Sequence, residues 1–160
     1  MTKKLAAIIL AILFCLGSLS LLAGCSGGAD KAVDADALYA ALKKLEFKDE
    51  LIDMDMAAIE NYYFFKDDSV IEKALVCKSA SGATAEEIAV ITVKNKKDVE
   101  AVKAAVEMRV DDLAFNFENY VPAEMKKIND AVIQTYGRYI VLAVVDDPVA
   151  AQSVIKEYCK

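Results

Sequence analysis

An uncharged apolar run from Leu5 to Leu22 follows Lys3-Lys4 and closes on Leu22-Ala23-Gly24-Cys25. It divides the chain into a part that stays out of any globular core and a part that must build one. A basic start, an apolar middle and small residues before a cut have the form of a secretory signal peptide. Cys directly after Leu-Ala-Gly makes it a lipoprotein signal. A thiol can become a thioether to diacylglycerol, and small Ala23 and Gly24 admit a peptidase to the backbone. Residues 1–24 are then a leader, Leu22, Ala23 and Gly24 its peptidase recognition, and Cys25 the lipid-attachment residue. Two acyl chains anchor a protein stably, at about 0.8 kcal/mol per buried CH₂. The competing reading is an uncleaved transmembrane helix. The run is at the lower length limit for spanning, and Gly17, Ser18 and Ser20 resemble a cleavage region. The expected location is the extracytoplasmic face of a cell membrane.

Of the 160 residues, 136 remain after the 24-residue leader, enough for one domain with its own core. Residues 25–33, containing Ser26-Gly27-Gly28-Ala29, read as a lipidated tether, and residues 34–160 as a single domain. The leader inflates the hydrophobic fraction of 56% and the mean hydropathy of +0.29, so neither indicates a membrane-embedded fold. Lys3 and Lys4 leave with it, so 17 basic residues face 25 acidic ones. That balance excludes nucleic acid as a natural partner and disfavours lying on anionic lipid. The chain has no His, hence no His base, no His metal ligand and no Ser-His or Cys-His nucleophile. No metal or cofactor is expected. With Cys15 in the leader and Cys25 acylated, Cys77 and Cys159 remain. Outside the cell they can pair, but Cys77 reads equally well as a small core residue, and sequence leaves both options open.

Along the domain, Asp34 or Asp36 caps a first helix carrying Leu38, Leu42 and Leu45 at helical spacing. Residues 46–73 lack a clean period, with a short helix from about Asp55 to Tyr62 and a turn at Lys66-Ser69. Strands are expected at Ala74–Ser79 and Glu87–Lys94, the second apolar on both faces and therefore covered on both. From Lys96 to about Tyr120, Val99, Val102, Val106, Val110, Leu113, Phe117 and Tyr120 step by three and four, the signature of a helix packed on a sheet. Pro122 ends it, and a further helical turn is expected over Glu124–Asp130. Strands at Ala131–Tyr136 and Tyr139–Val145 flank Gly137-Arg138, which fits a type II′ hairpin. A last helix starts at Pro148 after Asp146 or Asp147 and buries Val154, Ile155 and Tyr158. Strand-strand-helix occurs twice. The expected fold is α+β: a four-stranded, mostly antiparallel sheet with helices on one face, preceded by N-terminal helices.

The lipobox, Leu38-Tyr39, the run from Ser81-Gly82-Ala83-Thr84-Ala85-Glu86-Glu87 to Ile88-Ala89-Val90, and Tyr120-Val121-Pro122 resemble the domain-of-unknown-function 4358 family of bacterial, mostly Gram-positive lipoproteins. Tyr136-Gly137-Arg138-Tyr139 resembles its closing hairpin, although members often carry Asn in place of Arg138. The resemblance spans roughly Asp34 to Tyr158. It implies a one-domain lipoprotein and brings no catalytic residues.

Four features invite a functional reading. Thr84-Ala85-Glu86-Glu87 can hold a cation or an amine, against the plainer option of turn chemistry with Glu87 reaching back as in a capping box. The pairs Asp67-Asp68, Asp111-Asp112 and Asp146-Asp147 read as caps and solvated faces, because glycosidase carboxylates must face each other across a cleft. Asp53 and Asp55 alternate like a calcium loop, but Ala58 stands where that loop needs Gly. Tyr62-Tyr63-Phe64-Phe65 cannot all face one core, so part of the run marks an interaction surface or covers the sheet end. The expectation is a non-enzymatic domain that binds another envelope protein. The alternative is a small-ligand-binding accessory to transport or sensing, its ligand between the sheet and residues 46–73. An enzyme acting through Cys77 ranks third, since no His is present to form its thiolate.

Overall fold

The computed structural model describes residues 33–159. The leader, Cys25 and most of the tether lie outside the described residues. Helix α1, Ala35–Leu42, begins where Asp34 accepts a hydrogen bond from the Ala37 N–H. Strand β1, Leu51–Asp53, leads to α2, Met56–Tyr63, capped by Asp55. Strands β2, Ile71–Ser79, and β3, Glu87–Val93, form the first long hairpin. Helix α3, Val99–Phe117, follows a 3₁₀ turn at Lys96–Asp98. Then come a second 3₁₀ turn at Pro122–Glu124, helix α4, Met125–Asn129, strands β4, Val132–Tyr136, and β5, Tyr139–Val144, and helix α5, Pro148–Tyr158. Among the described residues no helix is long and apolar enough to cross a membrane.

The sheet has five strands rather than four, in the order β1-β2-β3-β5-β4, and every pairing is antiparallel. The added strand is β1, whose Leu51, Ile52 and Asp53 pair with Ser79, Lys78 and Cys77. Three residues are too few to show an alternation, which is why residues 46–73 gave no strand signal. The hairpin expected at Gly137-Arg138 is present. Gly137 has φ of 59° and Arg138 does not share the positive region, which excludes type I′ and fits type II′.

Helices cover both faces, not one. Every residue of β3 and β5 is buried. Ala89, Ile91 and Val93 with Ile140, Leu142 and Val144 meet Val102, Val106 and Leu113 of α3. Ile88 and Val90 with Val141 and Ala143 meet Leu38 and Leu42 of α1 and Ala151 and Ile155 of α5. Two apolar faces on one strand need two covers, and the first and last helices supply the second. Two further details differ from the sequence expectation. Helix α3 ends at Phe117, where the N–H groups of Tyr120 and Val121 turn back onto the Phe117 carbonyl, leaving Tyr120 80% exposed. Tyr158 is exposed too and Val154 half-buried; α5 buries Ile155, as expected, together with Ala151.

Candidate functional site

Five residues, Ala83 to Glu87, enter β3 from the β2–β3 loop and bind four other parts of the fold. Glu87 is 1% exposed and faces α3. Its carboxylate accepts from the Tyr63 hydroxyl at 2.6 Å, from Arg109 Nε at 3.1 Å and from Arg109 Nη2 at 2.6 Å. Glu86, equally buried, looks the other way. It accepts from the backbone N–H of Lys48 at 2.8 Å and Asp49 at 3.0 Å, from the Thr84 hydroxyl at 2.9 Å and from Lys127 Nζ at 3.0 Å. Lys127 also pairs with Glu124 at 3.0 Å, and Glu124 accepts the Ala85 N–H at 2.9 Å. Three carboxylates, those of Glu86, Glu124 and the half-exposed Asp146, thus converge on one buried ammonium.

The cation that Thr84-Ala85-Glu86-Glu87 holds is therefore intramolecular. Glu87 is not a capping-box residue, because it opens a strand and its partners lie on α2 and α3. Burial by itself would raise the Glu86 carboxyl; the N–H of Lys48, the Lys127 ammonium and the Thr84 hydroxyl outweigh it and hold the group below its ordinary value. Burial works against the charge on Arg109 and Lys127 as well, and their carboxylate partners raise both above the ordinary values. Buried pairs of this kind demand complete hydrogen bonding, and the loop supplies it. Asp49 accepts from the Ser79 and Ser81 hydroxyls and the Ser81 N–H, which brings its carboxyl down to about 2. The Ser79 hydroxyl in turn accepts the Gly82 N–H.

A cleft of about 160 Å³ opens beside this cluster. Arg109 lines it, 7% exposed, with the Tyr62 ring centroid 4.7 Å from its guanidinium carbon. Lys78 Nζ lies 5.5 Å from the same ring. Leu113 and Phe117 of α3 form the apolar wall. A larger cavity of about 450 Å³ lies between residues 44–48 and the start of α5. Asp147 already accepts the Val149 and Ala150 N–H groups there, and Lys48 pairs with Asp146 at 3.3 Å.

The aromatic run divides as its length requires. Tyr63 is 1% exposed and stacks on Phe65 at 5.7 Å. Tyr62 half-covers Arg109, and Phe64, at the left-handed end of α2, is 63% exposed. Cys77 and Cys159 are free thiols. Cys77 is fully buried among α1 and α5 residues, and burial pushes its thiol up. Cys159 is half-buried at the end of α5. Asp53 accepts from the Tyr39 hydroxyl and Lys43, both at 2.6 Å, and Asp55 caps α2, so neither serves a calcium loop. Asp67 and Asp147 cap turns, as expected of adjacent acids. Sequence reasoning missed Arg109 and Lys127. Arg109 falls in register with Val102, Val106 and Leu113 on the buried face of α3, a signal that an isolated cation in an apolar stripe does carry.

No curated protein and no solved structure matches the chain. One family model does, the domain of unknown function DUF4358, over residues 43–145. The match runs from just after α1 through β5; it includes the Ser79–Glu87 loop with Glu86, Glu87, Arg109, Glu124 and Lys127, and leaves out α1, Asp146, Asp147 and α5. The chain belongs to the DUF4358 family.

Proposed function

We propose that this chain is a lipid-anchored lipoprotein on the extracytoplasmic face of a Gram-positive cell membrane, and that its domain docks onto another envelope protein rather than catalysing a reaction. The lipobox ending at Cys25 supports the location. One observation carries the docking: Phe115 on the outer face of α3 is 81% exposed, with Met108 at 55% two turns earlier on the same face and Tyr120 at 80% just beyond the helix. Large apolar groups exposed together mark contact surfaces. Charge specifies the partner. Between residues 105 and 120 the single cation, Arg109, is buried against Glu87 and Glu107 pairs with Lys103, while Asp111 and Glu118 are exposed. The complementary surface is an apolar groove rimmed by Lys or Arg.

A photoreactive residue in place of Phe115, in the intact protein in its own membrane, is expected to capture one reproducible protein. The crosslinked peptide should be apolar with flanking Lys or Arg. The same residue at Lys156 on α5, and a Cys25→Ser version that has lost acyl labelling, should capture nothing comparable. Capture no greater than in these controls overturns docking, and unchanged acyl labelling of Cys25→Ser overturns the anchor. The second reading, a small-ligand-binding accessory protein, is favoured by the hydrogen-bond donors that the cleft over Arg109 leaves unused.

A further inference from the structure

The cleft beside Glu87 is unbalanced in one direction. Its acids are saturated. Both oxygens of Glu86 and both of Glu87 accept two hydrogen bonds each, which fills a carboxylate's lone pairs. Its cations are not. Arg109 commits Nε and Nη2 to Glu87, and Nη1 donates to no described residue. Nη1 is also not sealed in, since Asp98 Oδ2 is the one buried, unpartnered side-chain oxygen or nitrogen among the described residues. Lys78 Nζ makes one long hydrogen bond, 3.5 Å to the Ser79 carbonyl, besides its contact with the Tyr62 ring.

Three walls then define what fits. The guanidinium edge and the Lys78 ammonium present donors to an anionic oxygen pair. Tyr62 holds the guanidinium plane in place, so little side-chain entropy is left to lose on binding. Leu113 and Phe117, on the next two turns of α3 beyond Arg109, supply the apolar part of the lining. The cleft, about 160 Å³ and open to solvent on one side, suits a small ligand or the end of a chain.

We infer that this cleft binds a short aliphatic carboxylate, its carboxylate on Arg109 Nη1 and Lys78 and its hydrocarbon end on Leu113 and Phe117. This names a ligand class for the second reading above and is independent of docking through Phe115, which crosslinking tests separately. The test is a titration of the ¹⁵N-labelled full-length chain, held in detergent micelles, with sodium butyrate, butyramide and sodium sulfate. Butyrate is expected to give saturable shifts at the Arg109 Nε–H and the Gly82 and Ala85 amides. Butyramide, the same shape without charge, should give none, and sulfate should bind more weakly. Lys78→Met, at a half-buried strand position, should weaken butyrate about tenfold, the value of one charge-assisted hydrogen bond. Lys156→Met on α5 should leave it unchanged. No saturable butyrate shift up to tens of millimolar, with native spectra throughout, overturns the carboxylate; the ligand reading falls as well only if butyramide and sulfate also give none. Equal shifts from butyramide overturn the anionic class and leave an apolar cleft. Equal affinity for sulfate overturns the role of the apolar wall and leaves a bare anion seat.

Discussion

Glu87 illustrates what a single residue decides in this protein. From sequence it is one of two acids after a threonine, and turn chemistry is the economical reading. In the fold it neutralises Arg109 and accepts the Tyr63 hydroxyl in a place almost free of water. Removing one member of such a pair leaves an unpaired buried charge, so Glu87→Ala should lower stability by about 3–5 kcal/mol. Urea unfolding checks this, and a loss below about 1 kcal/mol would mean that the pair is hydrated. Cysteine reactivity belongs to the same scale. The Cys77 thiol, fully buried and pushed up by burial, should resist an alkylating reagent in the native protein and react only on unfolding, with half-buried Cys159 labelled first. Rapid native labelling of Cys77, followed by mass spectrometry, would reopen a thiol mechanism. The core setting of Cys77 was one of two readings open in the sequence, whereas the setting of Glu87 was not legible beforehand. Apart from Thr84, the partners of Glu86 and Glu87 come from residues 22 to 41 positions away, and no local pattern encodes that distance.

Elements were legible where a period had room to repeat. Helix α3 shows its buried stripe over 19 residues, and the β4–β5 hairpin is announced by Gly137 between two apolar runs. Capping acids were equally readable, because Asp34, Asp55 and Asp147 act on N–H groups two or three residues ahead. What failed were short or terminal elements. Strand β1 is three residues long, and the last turn expected of α3 gives way to a loop. The two faces of α3 make a contrasting prediction. Phe117→Ala, on the buried face, should cost about 3–5 kcal/mol. Phe115→Ser, two residues earlier and exposed, should stay within about 0.5 kcal/mol of the parent. Denaturant midpoints at unchanged slope check both, and a large loss at Phe115 would show that this side chain supports the fold rather than a partner.

At the scale of the whole molecule, three hydrogen-bonded carboxylates, one buried and two at the surface, tie stability to acid. Glu86 and Asp53 lie below their ordinary values, and Asp49 falls to about 2. A carboxyl lowered in the folded state contributes stability that is complete above its unfolded value and is lost as pH falls through the folded one. The melting temperature should hold from neutral pH to about 4.5 and then fall steadily toward pH of about 2. Glu86→Gln should make that fall shallower. A melting temperature that is flat across this window would show that the carboxylates are not held down in the fold.

The sequence by itself determined the acidic balance of the chain, the absence of histidine, the membership of hairpins and helices, and the family. Each of these is written in composition or in patterns a few residues long. Tertiary structure alone decided that a fifth strand joins the edge and that α1 and α5 close the second face of the sheet. It also decided that Arg109 and Lys127 meet Glu87 and Glu86, and that a donor-rich cleft remains beside them. The physical reason is range. Backbone conformation and capping depend on neighbours within one turn, whereas burial and ion pairing depend on which distant segments the sheet order brings together.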